Sequence, residues 1–238
     1  MNWDLLAYGP GWGDELLRGL VLTLELAVAA YVLGTALGLF AALAELHGPR
    51  PLALACEGYA VVMRSVPELL VILFVYFGGS FLLGSFLGLF GGTGFVEISG
   101  FWSGVLALSL VQGAYASEVF RGAIQAVPAG MREAARALGL RSLPAFALVI
   151  LPLALRFAFP GLANLWMVVV KNTPLVSVVG LHDLIREAGV AGQNSKAYFF
   201  FYGCVIVAYL AISGLSMIGQ SVLERRLWRG TGTGAAAR

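Results

Sequence analysis

VPAGMREAARALGLRSLPAFALVILP, Val127–Pro152, reads as a short polar helix that runs into a long apolar one. Proline suits the start of a helix and glycine the residue after its end, so Pro128 and Gly139 bracket a predicted helix over 129–139. Met131, Ala134, Ala135 and Leu138 fall on one face of it, and Arg132 and Arg136 share the opposite face. An ordinary surface helix in a loop fits that pattern equally well. The apolar run beyond it, Leu143–Val170, is long enough to cross a bilayer, which takes about 20 residues. Pro152 and Pro160 should bend it, and it carries Arg156.

The rest of the chain repeats this apolar character. Of 238 residues, 59% are hydrophobic and 12% charged, with a mean hydropathy of +0.87. Soluble domains carry about 25% charged residues. The composition therefore predicts an all-α polytopic membrane protein. Gly19–Leu46, Phe101–Phe120 and Tyr198–Leu223 are three further spans. Pro51–Val96 is ambiguous: Arg64, Pro67 and Glu68 interrupt its first part, and glycines between Gly78 and Gly94 loosen its second. It reads as one kinked helix with an external loop, or as two helices. Five spans suffice, with a transmembrane domain over 19–224. Residues 1–18 read as an interfacial segment rich in Leu, Trp and Tyr, without the basic start of a cleavable leader. Residues 225–238 form a basic tail.

Basic residues collect on the cytoplasmic side of membrane proteins. Arg121, Arg132, Arg136 and Arg141 lie on the same side as Arg225, Arg226, Arg229 and Arg238 for either reading of Pro51–Val96. The loop helix and the C-terminus are thus expected in the cytoplasm. Lys171, Arg186 and Lys196 lie toward the other side. The N-terminus stays undecided by charge, because Arg18 and Arg50 exchange sides between five and six spans.

Several classes drop out. Cys56 and Cys204 stand in apolar surroundings, and His47 and His182 are isolated, so no metal site and no catalytic set is expected. A membrane-embedded enzyme would need such a set. No internal repeat is evident, and no phosphate-binding Gly-x-x-x-x-Gly-Lys-Ser/Thr loop occurs. Any ATP used must sit on another chain. A channel or scaffold without ATP coupling remains open on composition, and nothing points to nucleic acid.

Glu133-Ala134-Ala135, Gly139 and Ile150-Leu151-Pro152 resemble the EAA motif of ABC importer permeases. The resemblance extends along the chain in order: GLVLTLEL (Gly19–Leu26), MRSVPELLVILFVYFG (Met63–Gly78), GAYASEVFRGAIQAVP (Gly113–Pro128), LPLALRFAFPGLANLW (Leu151–Trp166) and VVKNTPLVSVVGL (Val169–Leu181) are similar to polar amino acid permeases. Pro67–Leu70 is similar to the Q-type subunit of histidine/lysine/arginine/ornithine and octopine/nopaline permeases. The resemblance implies a type I importer permease fold with five core helices and an external N-terminus, in a bacterial inner membrane. It implies a cytoplasmic coupling helix at 129–139 that lays Met131, Glu133, Ala134, Ala135, Leu138 and Gly139 into a groove of an ATP-binding subunit. A second permease subunit (heterodimer favoured over homodimer), two ATP-binding subunits carrying ATP and Mg, and an extracytoplasmic amino acid binding protein complete the expected assembly. No cofactor is expected on this chain.

Ionisable residues at membrane depth cost about 2.5–3.5 kcal/mol on insertion scales and mark functional sites. The expected substrate path comprises Arg64, Ser65, Glu68, Glu118, Lys171, Asn172, Thr173 and Ser177. Glu68, beside the helix opened by Pro67, suits a cationic ligand or pairs with Arg64 one turn back. Pro174 should disfavour helix at Thr173, leaving polar groups exposed there. Lys171 meets a substrate carboxylate or, as favoured, snorkels to the interface. Related permeases often have Asp at the position of Asn172, which leaves the holding of a dibasic substrate by this subunit alone in doubt. Glu118 is expected to pair with Arg121 rather than touch substrate. Arg156 and Asn164 should bond freed carbonyls or a partner subunit; Glu25 has no evident partner. Gly34 and Gly38 read as small-residue helix packing. A permease for cationic amino acids is the preferred function; one for neutral or acidic polar amino acids is the alternative, with Glu68 then merely pairing Arg64.

Overall fold

The computed structural model describes residues 3–9, 11–81, 84–85 and 99–228. Most of the glycine-rich stretch expected between Gly78 and Gly94 lies outside them, as do Val96 and residues 229–238 of the tail. Among the described residues every regular element is helical. A 3-10 turn at Trp3–Leu6 precedes α1, Gly13–His47. At 35 residues α1 is about 50 Å long, and it takes in the last residues of the segment read as interfacial.

Pro67 decides the next element. The residue before a proline avoids helical backbone, and Val66 is extended (φ −96°, ψ 134°). α2, Arg50–Ser65, therefore stops, and α3, Glu68–Leu73, starts afresh and continues through a π-helical turn at Phe74–Gly78 to Phe81. The two axes differ by 112°. Pro51–Val96 thus begins as two helical pieces that meet at a sharp corner, with the kink at Pro67.

α4, Gly100–Gln125, is the interior helix. It has the length to span a bilayer but is less apolar than α1, the Ser142–Val179 run and Tyr198–Leu227, the three single stretches among the described residues that are apolar enough by composition. The reason is enclosure. Ser103, Ser109, Gln112 and Ser117 are buried on it, so the protein, not lipid, is their solvent. Its contact with α1 requires small residues. A Cβ on Gly38 would stand 2.5 Å from Ala116 Cβ and 2.8 Å from the Gly113 carbonyl oxygen. Gly38→Val should therefore push α1 off α4 and destabilise the fold by about 1–3 kcal/mol, the usual cost of overpacking. A lowered thermal midpoint of the purified protein is the expected result.

After α4 come α5, Ala129–Ala137, then α6, Ser142–Ala145, a π-helical turn at Phe146–Ile150, and α7, Leu151–Asn172. Pro152 sits in the first turn of α7, where its missing N–H is harmless, and Pro160 lies inside it. Thr173 remains right-handed helical (φ −53°, ψ −37°), contrary to the expectation from Pro174. The chain tightens into a 3-10 helix over Thr173–Val179, and the Thr173 hydroxyl takes the Val170 carbonyl that Pro174, without an N–H, leaves free. Gly180, at φ +85°, ends it in the left-handed conformation that glycine tolerates.

α8, Leu184–Ser195, is capped by Asp183, whose Oδ1 accepts from the Arg186 N–H at 2.9 Å. α9, Tyr198–Leu227, buries only Phe201 and Val205, as a helix facing lipid or another subunit would. The main core joins Leu26, Ile72, Val105, Leu108, Val170 and Val176 from five segments.

Candidate functional site

The 112° corner carries Glu68 away from α2 to the first residue of α3. Arg64 and Glu68, four apart in sequence, therefore do not share a helix face, and the ion pair given as the alternative reading of Glu68 is not formed. Glu68 instead accepts a hydrogen bond from Asn172 Nδ2, at the last residue of α7. Two residues separated by 104 positions close one contact. Beside it lies a void of about 10 Å³ walled by Leu108, Val111, Tyr115, Leu165 and Val169, with Gln112 on the same wall. A space of that size holds one water molecule. Gln112 donates to Thr35 Oγ1 at 3.2 Å, and its own Oε1 is buried without a partner.

Arg64 turns to Glu118 on α4. Its Nη2 lies 3.3 Å from Glu118 Oε1, and its Nε donates to the Ala60 carbonyl at 3.0 Å. Arg121 Nη2 meets both oxygens of Glu118 at 2.8 Å, and Arg121 Nε reaches Glu45 Oε2 at 3.7 Å. The expected Glu118–Arg121 pair is present, enlarged into a network that ties α1, α2 and α4. At roughly one-third exposure of Arg64 and Glu118, each bridge on its own contributes little to stability. Its geometric role is to clamp three helices at one level.

The hydroxyls expected along the path have partners of their own. Ser65 donates to the Val61 carbonyl at 2.7 Å, and Ser177 to the Pro174 carbonyl at 2.8 Å. Thr173 is fully buried, donates to the Val170 carbonyl at 2.8 Å and meets the Tyr209 hydroxyl at 3.0 Å. Lys171 is exposed and makes no ion pair among the described residues. Glu25 on α1 and Asn164 on α7 are also exposed.

Gln112, Tyr115, Tyr209 and Asp183 were not anticipated. Gln112 had a signal, an amide in the middle of an otherwise apolar helix. Asp183 lies beyond the Ser142–Val179 span, wholly buried against the first turns of α1 near Gly19 and Thr23. Burial pushes its carboxyl up to about 6, since a charge there is poorly solvated.

α5 extends from Ala129 to Ala137, and Gly139 follows with φ +76°. Ala135 packs inward at 2% exposure. Met131, Glu133 and Ala134 stay exposed, and Leu138 is 81% exposed. Of the apolar face read from the spacing, only Ala135 is buried by its own chain. Three of its members are left for another surface.

The chain as a whole is similar to known proteins. Residues 34–229 match the family described as binding-protein-dependent transport system inner membrane component. The chain is 42% identical over 234 residues to the nopaline transport system permease protein NocQ of Agrobacterium fabrum, covering 98% of each. It is 36% identical over 216 residues to the histidine/lysine/arginine/ornithine transport system permease protein HisQ of Escherichia coli, covering 91% of this chain and 94% of that one. Among solved structures it is similar to a chain of an amino acid ABC transporter crystallised with histidines, at 33% identity and a TM-score of 0.77, covering 90% of this chain and 95% of that one.

Proposed function

The chain belongs to the family of binding-protein-dependent transport system inner membrane components and is a permease subunit of an amino acid ABC importer; from that premise we propose that it passes a cationic amino acid inward along a path gated at Glu68 and Asn172. The observation that carries this reading is the hydrogen bond between those two side chains. Glu68 brings a carboxylate to membrane depth, and an Asn amide donor occupies it. A substrate ammonium or guanidinium is a stronger donor for the same acceptor, so it can displace Asn172 and open the contact. Permeases named for histidine, lysine, arginine, ornithine and nopaline are among the relatives, which agrees with a cationic or guanidinium-bearing cargo.

The path needs a second wall. Exposed Glu25 and Asn164 on spanning helices are costly against lipid, and a second permease subunit of related fold, in a heterodimer, would cover them. One ATP-binding subunit docks on Met131, Ala134 and Leu138 of α5 and a second on the partner permease, and an extracytoplasmic binding protein delivers substrate at the opposite end. The N-terminus then lies outside and the C-terminus in the cytoplasm. ATP and Mg bind those partner subunits. Nucleotide shifts the bundle between inward- and outward-open forms only through its differential affinity for the two.

The test is uptake by the complete importer in proteoliposomes, with binding protein and ATP, over a panel of labelled arginine, lysine, histidine, glutamine and glutamate. ATP-dependent uptake restricted to the cationic members is expected. Uptake of glutamate or glutamine in preference to them would assign Glu68 a structural role.

A further inference from the structure

A second cavity lies away from the Glu68–Asn172 contact. It is a cleft of about 560 Å³ between the end of α1, the end of α4, α5 and the start of the long Ser142–Val179 run. That volume is in the range of small-ligand sites. Its walls divide by chemistry. Arg132 and Arg136 from α5, with His47 at the last residue of α1 and the Ser142 hydroxyl, form a cationic and polar rim. Leu43, Ile124, Phe146 and Ile150 form an apolar floor. Phe146 is held there edge-on to His47, ring centroids 5.6 Å apart.

The rim is left with unmet charge. Arg132 donates one Nη2–H to the Ile124 carbonyl at 3.0 Å, and neither Arg132 nor Arg136 has an ion pair among the described residues. Of the carboxylates at this end of the bundle, Glu45 and Glu118 are engaged by Arg121 and Arg64, and neither Glu57 nor Glu133 is within ion-pair distance of Arg132 or Arg136. Arg132 and Arg136 lie one helical turn apart on the flank of α5 turned away from exposed Leu138, so the cleft and the apolar docking face do not compete for the same side of the helix. Beyond the rim, Leu143 and Leu148 are 78% and 70% exposed, continuing the apolar floor outward.

The cleft lies at the end of α1, a helix long and apolar enough to cross a membrane, and a lipid reaching it requires that end to face the bilayer headgroups. Two arginines one turn apart over an apolar floor fit a phosphate diester carrying an acyl chain, because guanidinium binds phosphate oxygens through paired N–H donors. We propose that the cleft holds an anionic phospholipid, its phosphate on Arg132 and Arg136 and one acyl chain along Phe146 and Leu143. Bound there, the lipid ties α5 to the ends of α1 and α4, so the composition of the inner leaflet sets the posture of the element that meets the ATPase. The inference depends on the chain lying in a bilayer and not on the identity of the transported solute.

The experiment is native mass spectrometry of the complete importer released from nanodiscs of phosphatidylcholine mixed with phosphatidylglycerol. The wild-type complex should retain phosphatidylglycerol. The double variant Arg132→Gln/Arg136→Gln should retain several-fold less, with phosphatidylcholine retention unchanged, and Arg132→Lys/Arg136→Lys should recover most of it. Ser142→Trp, which fills the cleft without removing charge, should also lower retention, and it serves if the double variant does not assemble. Equal phosphatidylglycerol retention in wild type, the glutamine double variant and Ser142→Trp would overturn the proposal. So would loss of retention in the presence of inorganic phosphate at buffer concentrations, which would mark a phosphate site instead of a lipid one. Crosslinking of Ser142→Cys to an ATP-binding subunit, in place of lipid loss, would assign the cleft to protein docking and equally refute it.

Discussion

Glu68→Gln should lower ATP-driven uptake of arginine by about 10- to 100-fold, the equivalent of losing one charge-assisted hydrogen bond of about 1.5–3 kcal/mol. The substitution is nearly isosteric. The Gln carbonyl can still accept from Asn172 Nδ2, so the contact between α3 and α7 survives and the complex should assemble with unaltered basal ATPase activity. What is lost is the negative charge that favours a substrate cation over the resident amide. A neutral amino acid, if transported at all, should be affected far less. The measurement is initial uptake in proteoliposomes at matched complex content, with ATP hydrolysis read in parallel. Equal arginine uptake by variant and wild type would mean that Glu68 never meets the cargo.

The second large effect lies at α5. Leu138 is 81% exposed and touches nothing that its own chain requires, so Leu138→Asp should leave the fold intact. Burying a leucine side chain against a partner contributes about 1.5–3 kcal/mol, and a carboxylate in its place must be desolvated as well. Association of the ATP-binding subunits should weaken by more than about tenfold, and transport should fall to background at ordinary subunit concentrations. Copurification of the ATP-binding subunit and binding-protein-stimulated ATPase activity are the two readouts. Gly139→Ala gives a milder comparison. No atom lies within 4 Å of the added Cβ, so its only cost is holding φ near +76°, about 1–2 kcal/mol. If Leu138→Asp couples normally, the exposed face of α5 is not the docking surface.

Much of this was legible in the sequence because local rules act alone there. Pro128 and Gly139 bracket α5 as their backbone preferences require, and long apolar runs become helices because no water is present to satisfy an unpaired backbone. Gly34 and Gly38 announced a close helix contact. The partners of the charges were not legible. Arg64 and Glu68 sit at helical spacing, yet Pro67 cancels that spacing, and only the corner it makes frees Arg64 for Glu118. Asn172 and Glu68 meet because α3 and α7 converge on α4, which no pairwise spacing reveals. Pro174 misled for a related reason: the Val170 carbonyl that its missing N–H leaves free takes the Thr173 hydroxyl instead, so the helix runs on. The cleft at Arg132 and Arg136 shows the same limit. The sequence placed both arginines on one side of a helix, but only the fold shows the apolar floor beneath them.

Sidedness of Asn172 tests the central claim most directly. In the complete importer, with Cys56 and Cys204 replaced by serine, Asn172→Cys can be challenged with a membrane-impermeant thiol reagent from either side of sealed vesicles. Alternating access driven through α5 predicts labelling from the cytoplasmic side without nucleotide, and from the outer side when ATP is bound and hydrolysis blocked. Labelling from the same side in both states would contradict it.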